Sequence, residues 1–458
     1  MWFSIDKNSK LPMFRQVFQA FRSAILSGTL PAGHKLPSTR ELAGELHVSR
    51  NVILEAYELL LAEGFITGRQ GVGSFVAEGT YLHGFTPEKQ IGLSNAESMD
   101  GQKVEDVISF RTGLPAVDLF PVKQWGAILQ SVCKDASTAQ LGYGDSSGDL
   151  ELRRVLADHL WRTRGVIAKP EQIIVTNGAV QALDLIVRVL LTAGDEAIVE
   201  EPSNNDLQTL LSSTGAILQR VPVDDSGMLT HKLPLNSRPK CIYVTPSHQF
   251  PLGGILPIQR RIELVEYARR CGSYILEDDY DSEFRFDGPP VHSLQSLCTD
   301  KVIYIGTFSK IMFPSLRIGY MVVPEPLVLS CKQLKRLNDY QTPSIDQLAL
   351  TRFMKEGYLN THILKMKKLY GKRRGLLMEA LNNHVDAPFR VCGRPAGLHL
   401  VIEFERQLPE SLNDVLQEQH VIATVLSPNH VLLGYGHLNE EQIDEGICRI
   451  GKALKVGV

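Results

Sequence analysis

No apolar run in this 458-residue chain is long enough to cross a bilayer, so no membrane partner is expected. The N-terminus, Met1-Trp2-Phe3-Ser4-Ile5-Asp6-Lys7, lacks a basic stretch leading into an apolar one, so no secretory signal is read there. Cysteine is sparse and odd in number: seven, at positions 133, 241, 271, 298, 331, 392 and 448. None forms a CxxC pair or a Cys/His ligand spacing, which argues against a disulfide framework and against a metal site. Excess positive charge is missing too. The net charge is −3, so any nucleic-acid surface must be local and not a property of the whole chain. Together these absences lead to the expectation of a cytoplasmic protein.

What is present is an ordinary globular composition, 43% hydrophobic and 22% charged, on a chain too long for one core. Residues 1–78 divide into short helical patterns. Phe14 to Leu26 carries Val17, Phe18, Phe21, Ile25 and Leu26 at helical spacing, and Gly28 stops it. Ser38 with Glu41 three residues on makes a capping box for a helix through Leu46. After the His47-Val48 turn, Ser49 is expected to cap a second helix of about a dozen residues. That helix is read as burying Val52, Ala56, Leu59 and Leu60 before Gly64. Two capped helices joined by a tight turn are a helix-turn-helix. Phe65-Ile66-Thr67 and Ser74-Phe75-Val76, flanking a glycine-rich turn, add a hairpin or wing.

In such a motif the start of the second helix enters the major groove. Ser49, Arg50 and Asn51 stand there; arginine can read guanine and asparagine adenine. Ser38 and Arg40 open the preceding helix, where free amides and a guanidinium suit a phosphate. Gly71 and Gly73 would let the wing approach the duplex closely. The same arginines also read as solvated helix-start charges. The ordered set Ser27-Gly28, Pro31, Gly33, Leu36-Pro37-Ser38, Arg40, Leu42-Ala43, Val48-Ser49-Arg50, Ala56-Tyr57, Leu60, Glu63-Gly64, Gly71, Gly73 and Val76 resembles the winged helix of GntR-type regulators. The resemblance implies a double-stranded DNA operator as partner, with Arg40, Arg50 and the glycine-bearing wing as contacts.

Residues 79–107 lack periodicity and read as a linker. From 108 to 458 short apolar runs alternate with helical patterns, which implies a mostly parallel sheet. The runs are Ile173 to Thr176, Ala197 to Glu200, Cys241 to Thr245, Tyr274 to Glu277 and Val302 to Ile305. After about Gly357 a smaller α+β subdomain is expected, with strands near Leu398 to Phe404 and Val431 to Gly434.

Three strand ends carry polar chemistry. Asn177-Gly178-Ala179 sits between a strand and a helix, an anion site or a plain turn. Asp278, in Glu277-Asp278-Asp279-Tyr280-Asp281, follows a buried strand and needs a cationic partner. Val302-Ile303-Tyr304-Ile305-Gly306 leads into Thr307-Phe308-Ser309-Lys310, with Arg317 beyond; it reads as a strand entering a loop at Gly306. Alone, Lys310 could be any solvated lysine. A lysine amine, a strand-end carboxylate, a tyrosine and a phosphate cradle together match pyridoxal 5'-phosphate.

The region resembles the fold-type I aminotransferases, and its phrases resemble those of the MocR/GabR-like regulators, which fuse a GntR-type winged helix to such a domain. Those phrases are Phe110-Arg111, Gly113, Pro115, Phe120-Pro121, Tyr143, Gly148, Leu152-Arg153, Thr245 to Pro251 with Gly253, Glu277 to Asp281 with Glu283-Phe284, and Gly306 to Lys310. The resemblance covers essentially the whole chain. It implies that Lys310 forms a Schiff base with pyridoxal 5'-phosphate, that Asp278 pairs with the ring nitrogen, and that Tyr280 bonds the ring hydroxyl. Gly178, Ala179, Thr307 and Arg317 would hold the phosphate. Tyr143 would reach it from the partner subunit of a homodimer.

Two positions depart from the pattern. Asn204 stands where such proteins carry a tyrosine near the cofactor, and Leu432 where aminotransferases carry an arginine that clamps the substrate carboxylate. The leading expectation is a DNA-binding regulator that senses pyridoxal phosphate itself or an amine or amino-acid effector. The alternatives are an active aminotransferase with an appended DNA-binding domain, and a winged-helix repressor whose second domain only dimerises it.

Overall fold

The computed structural model describes residues 3–7, 9, 11–69, 72–82 and 107–456. The chain divides into two compact units, Met1–Val104 and Glu105–Val458. All seven cysteines are free. No helix among the described residues is long and apolar enough to cross a membrane.

The first unit is built on helices α1 (Met13–Leu26), α2 (Thr39–Leu46) and α3 (Arg50–Ala62) and the antiparallel hairpin β1 (Ile66–Arg69) and β2 (Gly73–Val76). Its core joins Val17, Phe21 and Ile25 to Leu42, Ile53, Ala56, Tyr57, Leu60, Ile66 and Val76. The buried stripe of α3 is Ile53, Ala56, Tyr57 and Leu60, so Val52 and Leu59 lie at its edge and not on its centre line. Tyr57 is pulled inward because its hydroxyl donates to Pro37 O, 2.9 Å away, and its ring meets Phe21 edge-on. Ser38 forms both halves of the capping box with Glu41. Ser49 stands at the N-cap of α3, but its side chain makes no capping bond. The Val52 amide that it would cap is taken by the Ser49 carbonyl at 3.1 Å. His47, in the left-handed region at φ 52°, makes the turn between α2 and α3.

The described start of the expected linker packs on α1. Tyr81 lies against Gly28, and the Leu82 amide donates to Leu26 O at 3.0 Å. Residues 83–106 lie outside the described residues.

The second unit begins with β3 (Ile108–Ser109). Its main sheet has eight strands: β4 (Ile173–Thr176), β5 (Glu196–Glu201), β6 (Ile217–Asp224), β7 (Gly227–Met228), β8 (Cys241–Val244), β9 (Tyr274–Asp279), β10 (Val302–Thr307) and β11 (Gly319–Val322). Their order is β4-β11-β10-β9-β8-β5-β6-β7. The central run β10, β9, β8, β5, β6 is parallel, and β11 enters antiparallel between β10 and β4. The apolar runs are buried on both faces, as a sheet covered by helices on each side requires.

Gly306 is part of strand β10 and not the start of a loop. It pairs with Asp279 and Tyr320, and a Cβ there would lie 2.4 Å from the Tyr320 ring, so the glycine serves close approach inside the sheet.

A smaller antiparallel sheet follows, with β12 (Phe389–Cys392), β13 (His399–Phe404), β14 (Val421–Ile422), β15 (Thr424–Ser427) and β16 (His430–Gly434) in the chain. The sheet itself runs β12-β13-β16-β15, while β14 pairs with β3. The long helix Tyr358–His384 and the helix from Glu440 to Val456 share its core through Met366, Tyr370, Leu377, Ile443 and Ile447.

Candidate functional site

Parallel strands bring the chemistry to one edge. In the β9–β10 register Ile305 pairs with Asp278 and Gly306 with Asp279, so the two strands end side by side, and Lys310 follows in the loop after Thr307. Lys310 and Asp278 both line a cavity of about 270 Å³ with Thr112, Gly113, Ala179, Asn204, Tyr243, Phe250, Tyr280, Asp281, Thr307, Ser309, Arg317 and His399 among its walls.

Lys310 Nζ donates to Gly113 O at 2.8 Å. Burial holds its pKa below the ordinary lysine value, against the opposing pull of Asp281 and Asp278. Asp278 is buried, accepts the Tyr243 hydroxyl on Oδ2 at 2.7 Å, and has no hydrogen-bond partner for Oδ1. Burial raises it to about 6, with the Tyr243 bond working the other way. Thr307 and Ser309 bond to each other at the end of β10. Arg317, in the left-handed region at φ 54°, donates to Asn177 O at 2.8 Å. That places the guanidinium over the Gly178-Ala179 helix start, and a Cβ at Gly178 would meet it at 2.9 Å. Tyr280 reaches the cavity wall, and its hydroxyl donates to His248 O at 2.9 Å.

Of the residues expected at the cofactor, one stands apart. Tyr143 is 86% exposed and packs on Tyr340, outside the cavity of its own chain. Asn204 lines the cavity, and its Oδ1 caps the helix Asn205–Ser213 through the Asp206 amide. Leu432, expected at the clamp position, is buried beside Cys392 and Val401, against Phe250 and Leu252, and is not among the described residues that line the cavity.

Among the wall residues that a reading of the sequence alone does not assign to the site are Tyr243, Phe250 and His399. Tyr243 faces Asp278 only because β8 and β9 pair Tyr243 with Leu276. Given the strand order, that alternation can be counted two residues from Asp278.

Asp279, next to Asp278 in the chain, belongs to a buried ionic cluster. Arg164 is fully enclosed, paired with Asp279 at 2.7 Å and bonded to Ser247 Oγ at 2.7 Å. Tyr304 donates to the same Asp279 oxygen. Burial disfavours the charged guanidinium, yet Asp279 and the neighbouring acids hold its pKa above the ordinary arginine value.

In the first unit, Ser38 is committed to capping, while Arg40, Ser49, Arg50 and Asn51 are exposed at the two helix starts. Arg50 Nε donates to Thr39 Oγ1 at 3.3 Å, which joins the start of α3 to that of α2. Gly73 lies in β2 with φ 129°, 3.1 Å from the Lys35 side chain if a Cβ is built. Gly71 lies outside the described residues.

Residues 105–450 match the family Aminotransferase class I and II, and residues 14–76 match the bacterial regulatory proteins of the gntR family. The chain is 35% identical to the probable rhizopine catabolism regulatory protein MocR of Rhizobium meliloti, over 98% of this chain and 95% of that one. It is 30% identical to the HTH-type pyridoxine biosynthesis transcriptional regulator PdxR of Corynebacterium glutamicum, over 96% of each. Among solved structures it is similar to the Pyrococcus horikoshii kynurenine aminotransferase in complex with PMP, with TM-score 0.72 and 28% identity over 77% of this chain and 92% of that one. The chain therefore belongs to the MocR/GabR-like subfamily of GntR-type transcriptional regulators, a winged helix joined to a fold-type I aminotransferase domain.

Proposed function

We propose that this DNA-binding regulator holds pyridoxal 5'-phosphate at Lys310 and changes its operator binding in response to that molecule or to an amine or amino-acid effector. The observation that carries the reading is the meeting of Lys310 and Asp278 in one cavity. The residues fit the group. Asp278 Oδ1 is a buried acceptor without a partner, as a protonated ring nitrogen requires. Arg317, the Gly178-Ala179 helix start and Thr307 are a cation, free amides and a hydroxyl suited to a phosphate. Tyr280 lines the same cavity and would bond the ring hydroxyl. When bound, pyridoxal phosphate supplies an aldehyde that condenses with an amine.

Lys310 would hold that aldehyde, Asp278 would keep the ring nitrogen protonated, and Arg317 with Thr307 would orient the phosphate. A leucine, Leu432, at the position expected for the arginine clamp favours sensing over transamination, since a leucine aligns no substrate carboxylate. The relative named for pyridoxine biosynthesis supports the cofactor itself as the signal. The protein would work in the cytoplasm as a homodimer, with the exposed Tyr143 reaching the partner's phosphate site.

On the DNA side, Ser38, Arg40, Ser49, Arg50, Asn51, Gly71 and Gly73 are the proposed contacts. Arg50→Ala should weaken binding to a duplex selected by the wild-type protein from a random pool by about ten- to a hundredfold at fixed salt. The visible spectrum of the pyridoxal phosphate complex should not change. Retained affinity, measured by fluorescence anisotropy, would remove Arg50 from the interface.

A further inference from the structure

The walls of the Lys310 cavity carry a charge pattern that selects among ligands, a selection that rests on this cavity being the cofactor site. Among the described residues that line it, two are fixed cations, Lys310 and Arg317. Lys310 is the amine for the aldehyde, and Arg317 is held at the phosphate end by Asn177 O. The other charged walls are acids, Asp278 and Asp281. Asp281 is buried, with its two oxygens 2.9 and 3.1 Å from His248 Nδ1. His399 is buried and lies close to this pair: potential donor atoms of His248, Asp281 and His399 fall within 4.8 Å of one another. His399 Nε2 lies 3.0 Å from Pro251 O, and a carbonyl only accepts, so Nε2 carries the proton and Nδ1 keeps its lone pair. Burial, then the neighbouring His248, push the His399 pKa down to about 4, so the ring is neutral at pH 7. Near this side Leu432 adds an apolar contact to Phe250.

We infer that the cavity receives, beside the cofactor, a cationic amine without a carboxylate, bearing a hydroxyl or a second ammonium group. A carboxylate taken out of water beside the bound cofactor meets the acid Asp281, a neutral acceptor ring and the apolar Phe250 and Leu398, and among the described lining residues no further cation offsets its lost hydration. An ammonium or hydroxyl finds acceptors instead: Asp281 and the unprotonated nitrogen of His399. The carboxylate of an α-amino acid therefore brings a second negative group to the Asp281 side of the cavity.

The test is calorimetric titration of the full-length protein loaded with pyridoxal phosphate, using amines paired with their carboxylated counterparts. Cadaverine should bind at least about tenfold tighter than lysine, and ethanolamine at least about tenfold tighter than serine. His399→Phe should erode the preference, and His399→Gln, which keeps an acceptor, should retain more of it. Amino acids binding as tightly as their amines would overturn the inference, and so would the absence of heat from both amines. A failure of the underlying reading looks different: no visible absorbance appears on adding pyridoxal phosphate, or it persists in Lys310→Ala. The wild-type comparison stands even if the His399 variants do not fold.

Discussion

Replacing Lys310 with alanine should abolish the visible absorbance acquired with pyridoxal phosphate, and borohydride should then fix no adduct to the protein. Lys310 is the only lysine among the described residues that line the cavity. It is held there by β10, which is hydrogen-bonded on both sides, and by the 2.8 Å bond from Nζ to Gly113 O. Only a neutral amine attacks an aldehyde, and burial lowers the Lys310 pKa. The reactive form is therefore populated at lower pH than for an exposed lysine, so uptake should accelerate with rising pH and level off below the ordinary lysine value. The variant should still bind the cofactor weakly through Arg317 and the Gly178-Ala179 helix start. A spectrum equal to that of the wild type would remove the assignment of Lys310.

The second large effect concerns stability. Arg164→Leu should cost the second unit about 3–5 kcal/mol, because Asp279 would be left as an uncompensated buried charge. The acid sits next to Asp278 in the chain, so the loss should also weaken cofactor binding. Removing both partners together, as Arg164→Leu with Asp279→Leu, should recover most of the loss, since a buried pair replaced by apolar groups is close to neutral. Denaturant midpoints followed by a probe in the second unit measure both variants. A shift below about 1 kcal/mol for Arg164→Leu would show the ion pair to be dispensable.

Local chemistry is the most legible part of the sequence. Ser38 and Glu41 announce the start of α2 because both partners of a capping box lie within four residues. Ser49 carries the same signal without the bond, since the Val52 amide has a backbone acceptor instead. The strands β4, β5, β8, β9 and β10 show as β-branched runs because the sheet buries them on both faces. Strand β11 does not show, since its antiparallel place between β10 and β4 is a property of the fold and not of its four residues. Gly306 reads as a loop entry because the partner that demands a glycine, Tyr320, is across the sheet.

The same division holds in the cavity. Lys310, Asp278 and Tyr280 stand out as polar residues at the ends of apolar runs. His399, in Leu398-His399-Leu400-Val401, looks like a satisfied core histidine, and only the cavity distinguishes it. Tyr243 is likewise a strand tyrosine until the β8–β9 register sets it against Asp278.

Occupancy of the Lys310 cavity should alter DNA binding, which requires the cofactor to favour one of two states. The direct measurement is fluorescence anisotropy of a selected duplex with full-length protein, with and without saturating pyridoxal phosphate, for wild type and Lys310→Ala. The wild-type affinity should change at least about fivefold, and that of Lys310→Ala should not change. Superimposable wild-type isotherms, recorded while the visible spectrum shows the cofactor bound, would show that the cavity does not control DNA binding.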